Sequence, residues 1–443
     1  MKRNTEFLRD VSRLAVPVAL QSMLQASFSI VNQIMIGQLG SVSIAGVGLA
    51  GKFSSVYSVV VSAIGAVAGI MIAQYLGQKN RPEVRRSFFR NLFFALGLAA
   101  VFTALCLLLP EPIMGLYTKD AATRQAAASY LAIVAGTFLP LAGATLLSTL
   151  YRCMEKASLP LYASLFAALL NTGLNYVLIF GKLGFAPMGA EGAAIATLVS
   201  QIANCLVMLL FLRSARDCLS GGRPQTRFQW RQYAAMLLPV LICEFLWSVG
   251  ENVYAGIYGN LGTADCAAMT LINPVQGLVI GALCGLSQAA GVLIGKRLGS
   301  GDYDGAYGDA KKLLLYGFLG SAALSLLVVL TSGLYVRLYA VEDAVRALTR
   351  QILAVYAVVA PFKVQNMILG GGILRSGGKT KYVMMIDLTG TWGFGVPLGL
   401  LAAFVLRLSI PWVYLMISLE ECVRFAISVA VFRRRGWMQS LRA

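Results

Sequence analysis

Residues 14–40 read LAVPVALQSMLQASFSIVNQIMIGQLG, and residues 236–262 read MLLPVLICEFLWSVGENVYAGIYGNLG. Both stretches carry a proline at the fourth position and end in Leu-Gly, and a shift of 222 residues superposes them without a gap. The same shift places Leu76-Gly77 on Leu298-Gly299 and Leu116-Tyr117 on Leu338-Tyr339. A single register kept over this distance predicts that the chain consists of two homologous halves.

Long apolar runs dominate the rest of the chain. Of its 443 residues, 58% are hydrophobic and 13% are charged, and the mean hydropathy is +0.73, whereas soluble domains average about 25% charged residues. A helix needs roughly 20 mostly apolar residues to cross a bilayer. We predict twelve such spans, at residues 14–36, 48–74, 88–109, 127–150, 160–180, 192–212, 235–258, 268–294, 313–336, 350–373, 382–405 and 410–432. The runs lack the alternation of outer-membrane strands, so helices, which satisfy their own backbone groups in lipid, are predicted.

The predicted organisation is two six-helix bundles. We place the N-terminal lobe at residues 1–215, a cytoplasmic linker at residues 216–233 and the C-terminal lobe at residues 234–443. Because six is even, both halves enter the membrane from the same side, so the repeats are parallel. An all-α integral membrane protein of two similar bundles with a cleft between them is typical of alternating-access transporters.

The distribution of positive charge predicts the orientation. The formal net charge is +18, and 27 of the 37 Lys and Arg residues fall on one side if both termini are cytoplasmic. Such a bias is the positive-inside signal of a multi-pass protein. The basic loops then meet anionic lipid headgroups, and the charge indicates the bilayer rather than nucleic acid as the partner.

Composition also limits the chemistry. The chain has no histidine, and its eight cysteines show no CxxC spacing, so neither a metal site nor His-based catalysis is indicated. No phosphate-binding loop is visible. We therefore predict no enzyme activity and no cofactor, and we expect any transport to be driven by a sodium or proton gradient.

Two acids on the seventh span are the first candidate site residues. Glu244 and Glu251 are seven residues apart, about two helical turns, so they project from nearly the same stripe, with Trp247 between them in sequence. A carboxylate beside an aromatic ring attracts an organic cation. We expect Glu244 to bind the coupling cation or proton, and Glu251, Trp247 and Tyr254 to line the substrate cleft. The alternative for Glu244 is a structural carboxylate paired with a lysine of a neighbouring helix.

Two further ionisable residues lie in later spans. Lys363 follows Pro361 in the tenth span, and we expect it to pair with Glu244 or Asp387 as a proton switch, or else to hold helices together. Asp387 in the eleventh span is either a second coupling residue or a structural partner of the basic loop residues Arg375, Lys379 and Lys381. In the twelfth span, Glu420, Glu421 and Arg424 are predicted to neutralise one another on one helix.

Neutral amides are the corresponding polar groups of the first half. Asn32, Gln33, Asn171 and Asn175 supply amide dipoles inside predicted spans. Such groups line a cleft, coordinate sodium or form hydrogen bonds between helices. We expect these four residues to line the substrate cleft.

Several of these motifs together resemble the multidrug and toxic compound extrusion (MATE) transporters. They are Pro17, the run NQIMIGQLG at residues 32–40, Leu76-Gly77, Asn171 with Asn175, and RSGGKT at residues 375–380. The resemblance implies a V-shaped pair of six-helix lobes, working as a monomer in a bacterial inner membrane, that exports amphipathic organic cations against an inward flow of sodium ions or protons.

The sequence departs from this family pattern at two places. The family's first helix usually carries Asp where Asn32 stands here, and the acid of a second-half motif is replaced by Lys379. Asn32 does not titrate, which moves the expected coupling site to the second half. A lipid-linked sugar flippase is the alternative, since it shares this helix arrangement by resemblance, but the acidic balance of the spans favours organic cations.

Overall fold

The computed structural model describes residues 2–220, 229–337, 339 and 341–441. These residues form helices and loops without any β-strand. Twelve long helices follow one another among them: α1 (Lys2–Gly37), α2 (Ser41–Gly77), α3 (Arg81–Leu108), α4 (Ala121–Cys153), α5 (Ser158–Phe180), α6 (Gly189–Leu219), α7 (Trp230–Leu261), α8 (Thr263–Gly299), α9 (Tyr303–Arg337), α10 (Asp343–Leu374), α11 (Thr380–Val405) and α12 (Ile410–Arg433). A short helix, Pro110–Gly115, lies between α3 and α4.

The helices match the predicted membrane spans. Eleven of them, α1 to α11, are long and apolar enough to cross a membrane. Helix α12 has 24 residues, enough for a span of roughly 20, but it carries Glu420, Glu421 and Arg424 in its middle. Each predicted span lies inside one helix, with only residue 109 falling outside. Residues 221–228 of the predicted linker lie outside the described residues, while α6 extends into its start and α7 begins before its end.

The chain divides into two compact units. The first comprises Met1–Ala19, Ala73–Lys79 and Phe228–Ala443, and the second comprises Leu20–Ile72 and Asn80–Arg227. The first unit therefore contains α7 to α12 together with the beginning of α1 and the end of α2. The lobe boundaries predicted from the sequence describe the repeat, and they stay a prediction.

Aromatic side chains with polar ends join the helices of the second unit. Tyr57 of α2 is fully buried, and its ring packs against Phe138 of α4 with centroids 4.5 Å apart. Its hydroxyl donates to the Phe138 carbonyl at 3.0 Å, and the Tyr151 hydroxyl donates to the Met208 carbonyl of α6 at 2.6 Å. A buried tyrosine thus contributes apolar area while its hydroxyl keeps a partner.

Repeat-related glycines allow two helix ends to touch in the first unit. A Cβ placed on Gly77, at the end of α2, would overlap the carbonyl of Lys296 in α8. A Cβ placed on Gly299, at the end of α8, would overlap the carbonyl of Gln74 in α2. Only glycine permits this backbone approach. The contact explains why both helices carry a glycine at their superposed ends.

Helices α10 and α11 contain π-helical segments next to charged or polar residues. One segment, Met367–Leu374, begins directly after Asn366, and another, Thr389–Gly395, begins two residues after Asp387. Helix α11 ends in a third, Leu401–Val405. Wider π turns often occur at functional sites because they displace side chains from the regular helical register.

The chain after α12 folds back onto the first unit. Trp437 is fully buried there, stacks on Phe432 with ring centroids 5.7 Å apart, and donates its indole N–H to the Phe432 carbonyl at 3.1 Å. Residues 439–441 then reach the last turn of α2, where the side chain of Gln74 meets their backbone.

Candidate functional site

Glu244 forms an ion pair with an arginine. It lies on α7 just after Pro239, and its Oε1 accepts a hydrogen bond from Nη1 of Arg375, which follows α10, at 3.2 Å. The Glu244 side chain is 33% exposed and that of Arg375 is 16% exposed. The charge of Glu244 is therefore already balanced, by an arginine rather than by the lysine considered from the sequence. Its role in coupling stays a prediction.

Asp387 is held from two sides. The guanidinium of Arg424 on α12 pairs with Oδ1 of Asp387, and the thiol of Cys243 on α7 donates to Oδ2 at 2.8 Å. Arg424 also lies 3.6 Å from Glu421, the pairing within α12 that the spacing predicted. This second pair of opposite charges links α11 to α12.

The predicted pairing of Lys363 with Glu244 or Asp387 is wrong. Arginines occupy both acids, and the suggested basic loop partners of Asp387 are replaced by Arg424 of α12. Lys363 instead lines a cavity that it shares with three other ionisable residues, Glu251, Glu420 and Glu421. The sequence places Lys363 and both acids inside spans, but only the rotation of each helix about its axis decides which side chains meet.

The cavity lies in the first unit and has a volume of about 230 Å³. Residues of α7, α8, α10 and α12 line it. Its charged side chains are those of Glu251, Lys363, Glu420 and Glu421. Neutral polar side chains such as Asn273 and Gln276 line it too, together with aromatic and apolar side chains, among them Tyr254, Tyr258, Met269 and Tyr414. The cavity thus joins ionisable and amide groups to an adaptable apolar surface.

Hydrogen bonds fix two of the three cavity acids. The Tyr254 hydroxyl donates to Oε2 of Glu420 at 2.6 Å. The Asn366 amide donates both to Oε2 and to the backbone carbonyl of Glu421, each at 2.8 Å. Within the described part of the chain, no hydrogen bond or ion pair reaches the side chain of Glu251 or Lys363.

Trp247 faces a different space from Glu251. It is 49% exposed and lines a small cavity together with Cys243, Asp387 and Trp392. The sequence predicts Glu244, Trp247 and Glu251 on one cleft wall, but the structure places the three side chains in different surroundings. Glu251 and Tyr254 line the 230 Å³ cavity, whereas Glu244 is paired with Arg375 and Trp247 lies beside Asp387.

The amides of the second unit form a connected cluster. Asn32 of α1 donates to Oδ1 of Asn171 at 2.8 Å and accepts from Nδ2 of Asn175 at 2.8 Å. Asn171 in turn donates to the Ser200 hydroxyl of α6 at 3.2 Å. These bonds link α1, α5 and α6, which is the helix-joining use that the sequence left open.

Part of this amide cluster also lines a cavity. Asn32 and Asn171 border a space of about 240 Å³ in the second unit, whose polar walls are all uncharged. Asn175 and Gln33 are not among its lining residues, and Gln33 is exposed. The cavities of the two units therefore differ, because one has only uncharged polar side chains and the other has ionisable ones.

Glu420 and Glu421 are the functional candidates that sequence reasoning did not select. The spacing within α12 favoured mutual neutralisation with Arg424, yet Glu420 turns toward Tyr254 and the cavity. The sequence did contain a feature that points to these two residues, because placing two adjacent acids in a membrane span is costly. No group of three or more His, Cys, Asp or Glu side chains in the described residues is arranged to hold a metal ion.

Comparison with known proteins identifies the family. A family model described as MatE matches residues 17–177 and again residues 239–401. The chain belongs to the MatE family. The two matches to the MatE model begin 222 residues apart, the offset found in the sequence itself. MatE proteins are transporters rather than enzymes, so this chain is a multi-pass membrane transporter.

Relatives and solved structures agree with the MatE assignment. The chain is 22% identical over 434 residues to the "Probable multidrug resistance protein NorM" of Thermotoga maritima, covering 98% of this chain and 93% of that protein. A structure of a variant of the Vibrio cholerae MATE transporter VcmN superposes with a TM-score of 0.88 at 16% identity, covering 99% of this chain and 100% of that one.

A second similar structure comes from Pyrococcus furiosus. It is described as "Reverse polarity of binding pocket suggests different function of a MOP superfamily transporter", and it has a TM-score of 0.84 at 18% identity, covering 96% of this chain and 95% of that one. These structural likenesses show the fold. The fold class predicted from the sequence is confirmed.

Proposed function

We propose that this MatE transporter exports amphipathic organic cations in exchange for protons. The carboxylates of the cavity in the first unit would bind the proton and the organic cation in turn. The names of relatives, such as "Probable multidrug resistance protein NorM", support export of this class of compound. The positive-inside charge bias supports an orientation with both termini in the cytoplasm, in a bacterial inner membrane. We further propose that a single chain is the working unit, since it supplies both repeats.

The charge balance of the first unit carries the proposal. Glu244 is paired with Arg375 and Asp387 with Arg424. Setting these pairs aside, three carboxylates share one cavity with the single ammonium of Lys363, and Arg424 reaches only one of the three. An uncompensated charge at the centre of a membrane costs about 2.5–3.5 kcal/mol or more. A proton or a bound cation is needed to remove that cost.

Competition for the same carboxylates gives an exchange mechanism. A cation that binds the cavity displaces the proton, and the proton displaces the cation when the cavity opens to the other side. The exchange is driven only if the two ligands favour different conformations, because equal affinity for both shifts nothing. Glu420, with its Tyr254 hydrogen bond, and the unpartnered Glu251 are the proposed exchanging acids.

A proton fits the cavity better than a sodium ion. Lys363 already places a positive charge among the acids of the cavity, and an ammonium repels a sodium ion in the same space. The flippase alternative is disfavoured by the acidic excess of the cavity, since a lipid-linked pyrophosphate requires positive charge.

The test is transport by the purified chain in proteoliposomes. Uptake of a fluorescent organic cation is measured under an imposed pH gradient and, separately, under an imposed sodium gradient. We expect only the pH gradient to drive uptake, and we expect Glu420→Gln and Glu251→Gln to slow it at least about tenfold. Glu342→Gln, a matched change at an exposed acid, should leave the rate unchanged.

Each other outcome has a defined meaning. Uptake driven by sodium alone contradicts proton coupling. Loss of uptake in Glu244→Gln but not in the cavity variants returns the coupling role to the residue that the sequence favoured. If neither gradient moves the dye, the proposed export of cations is contradicted.

A further inference from the structure

Three aromatic rings form a stack where the end of α12 meets α9. Tyr307 of α9 lies against Phe432 of α12, with ring centroids 4.8 Å apart and an angle of 17° between the planes. Phe432 stacks in the same way on Trp437, with centroids 5.7 Å apart. Phe432 and Trp437 are buried, whereas Tyr307 is half-buried. The stack is therefore a packed platform with Tyr307 as its outer ring.

Two cationic side chains lie over the Tyr307 ring. The guanidinium carbon Cζ of Arg435 is 4.2 Å from the ring centroid, and the Lys311 ammonium is 4.6 Å from it. Phe432 covers one face of this ring, so both cations share the other face and are close neighbours. Each gains a cation–π attraction, but the two like charges repel each other. An anion bound between them would remove that repulsion.

The backbone of Arg435 adopts an uncommon conformation at this position. Its φ is +54°, two residues after the end of α12 at Arg433. Glycine usually occupies such a left-handed position after a helix, because a side chain there has a steric cost, and here Gly436 stands only one residue further on. Residues held in this conformation often serve a function, and in Arg435 it accompanies the placement of the guanidinium over Tyr307.

The positive charge of this cluster is only partly balanced. Asp304 accepts a hydrogen bond from Nη1 of Arg435 at 3.2 Å, but its side chain is 94% exposed and that of Arg435 is 51% exposed. An ion pair so open to water is weak, so a second anion can compete for the guanidinium. Among the described residues, no hydrogen bond or ion pair reaches the exposed Lys311 side chain. Two further exposed arginines, Arg433 and Arg434, precede Arg435.

An apolar stripe of α9 continues from Lys311. We define it as Leu315, Phe318 and Leu319, which follow Lys311 by four, seven and eight positions and so lie on the same face of the helix. Each of the three side chains is more than half exposed. Helix α9 is long and apolar enough to cross a membrane, so the stripe faces acyl chains while Lys311 lies at its polar end.

We propose that Lys311 and Arg435 bind the phosphate of an anionic phospholipid whose acyl chain lies along the apolar stripe of α9. A free phosphate ion would contact the cations alone, whereas a phospholipid also covers the stripe. A lipid with a choline headgroup brings a positive charge toward Arg433 and Arg434, so an anionic headgroup fits better. Basic pockets at the ends of membrane helices are known to bind such headgroups. The site shares no residue with the 230 Å³ cavity.

The experiment is a lipid titration of the purified chain in detergent, followed by native mass spectrometry. Phosphatidylglycerol and phosphatidylcholine with the same acyl chains are the two probes. We expect phosphatidylglycerol to bind at least about tenfold more tightly. Lys311→Gln and Arg435→Gln should each weaken its binding about fivefold, equivalent to about 1 kcal/mol for each charge, and the double variant about twenty-fivefold. Lys311→Arg should retain most of the affinity.

Further variants make the test specific. Lys381→Gln, at an exposed lysine of α11, should leave the affinity unchanged, and an equal loss there would overturn the site because any basic charge would then suffice. Lys311→Glu should abolish the preference for phosphatidylglycerol, which keeps the test decisive if Arg435→Gln fails to fold.

A soluble anion distinguishes a lipid site from a site for free phosphate. Glycerol 3-phosphate, which carries the phosphate without acyl chains, should not displace phosphatidylglycerol even in large excess. Displacement that depends on Lys311 would overturn the lipid as the ligand. Equal affinity of the unaltered chain for the two phospholipids would overturn the proposal as well.

Discussion

The hydrogen bonds of Gln74 predict how firmly the C-terminal tail is held. Gln74 is fully buried in the last turn of α2. Its amide nitrogen donates to the carbonyls of Ser376 at 2.6 Å and Gln439 at 3.2 Å, and its oxygen accepts from the backbone N–H of Leu441 at 2.6 Å. One side chain therefore satisfies three backbone groups, two of which belong to the tail.

We predict that Gln74→Ala releases the tail without unfolding the helices. An intramolecular hydrogen bond contributes a net stabilisation of about 1 kcal/mol, and an orphaned buried group costs about 1–3 kcal/mol. Loss of the two bonds to the tail therefore weakens tail attachment by about 2 kcal/mol, which is about thirtyfold in the release equilibrium, at 1.4 kcal/mol for each factor of ten. Trp437, buried four residues before Leu441, still anchors the start of the tail.

The measurement is hydrogen exchange of the C-terminal peptide by mass spectrometry. The Leu441 amide is protected by its bond to Gln74, so its exchange reports release of the tail. Gln78 provides a matched comparison. Its amide donates to the Ser440 hydroxyl at 3.1 Å and to the Leu441 carbonyl at 2.7 Å, but it is only half-buried. Water replaces those bonds, so Gln78→Ala should accelerate exchange by about tenfold or less.

A control and a refuting result complete the design. Gln38→Ala, at an exposed residue, should leave exchange of the C-terminal peptide unchanged. If Gln74→Ala alters exchange no more than Gln38→Ala does, then the buried amide does not hold the tail. Equal effects of Gln74→Ala and Gln78→Ala would refute the claim that burial sets the magnitude.

Three further predictions follow from other contacts. Gly77→Ala should destabilise the protein by about 1–3 kcal/mol, because the new Cβ would meet the backbone of α8. Gly173→Ala, in open space within α5, should stabilise the protein slightly. Thermal unfolding in detergent compares the two variants. Asp387→Asn should lower the free energy of unfolding by about 3 kcal/mol, because it leaves Arg424 with only one acid. It should retain the exchange of organic cations for protons. Loss of that exchange with unchanged stability would favour a coupling role for Asp387. Asn32→Asp should be more stable at low pH than at high pH, because only the protonated acid still donates to its amide partner; a pH-independent unfolding temperature would contradict this.

The membrane architecture was predictable because it depends on local properties of the chain. Backbone groups in lipid must bond within their own segment, so each long apolar run becomes a helix. The superposition of Pro17 on Pro239 required no structural knowledge, and neither did the Leu-Gly pairs that end the helices. Even the candidate acids were visible, since charges within spans are costly and rare.

The contacts between those charges were not predictable in the same way. Spacing correctly put Glu421 near Arg424 on one helix, but it also suggested that Glu420 would be neutralised there. The pairing of Lys363 with Glu244 or Asp387 was wrong because residues far apart in sequence compete for the same acids. Arg375, which lies 131 positions from Glu244 in the sequence, forms the ion pair with it instead.

The sequence by itself determined the number of helices, their division into two repeats, the family, and the set of polar groups placed in the membrane. Only the tertiary structure decided that Glu244 and Asp387 form ion pairs with arginines. It also decided that Glu251 and Lys363 line one cavity without forming such a pair. The physical reason is that hydrophobicity along the chain fixes which segments enter lipid. Helix rotation and the competition among neighbouring side chains fix which charges come within reach of one another.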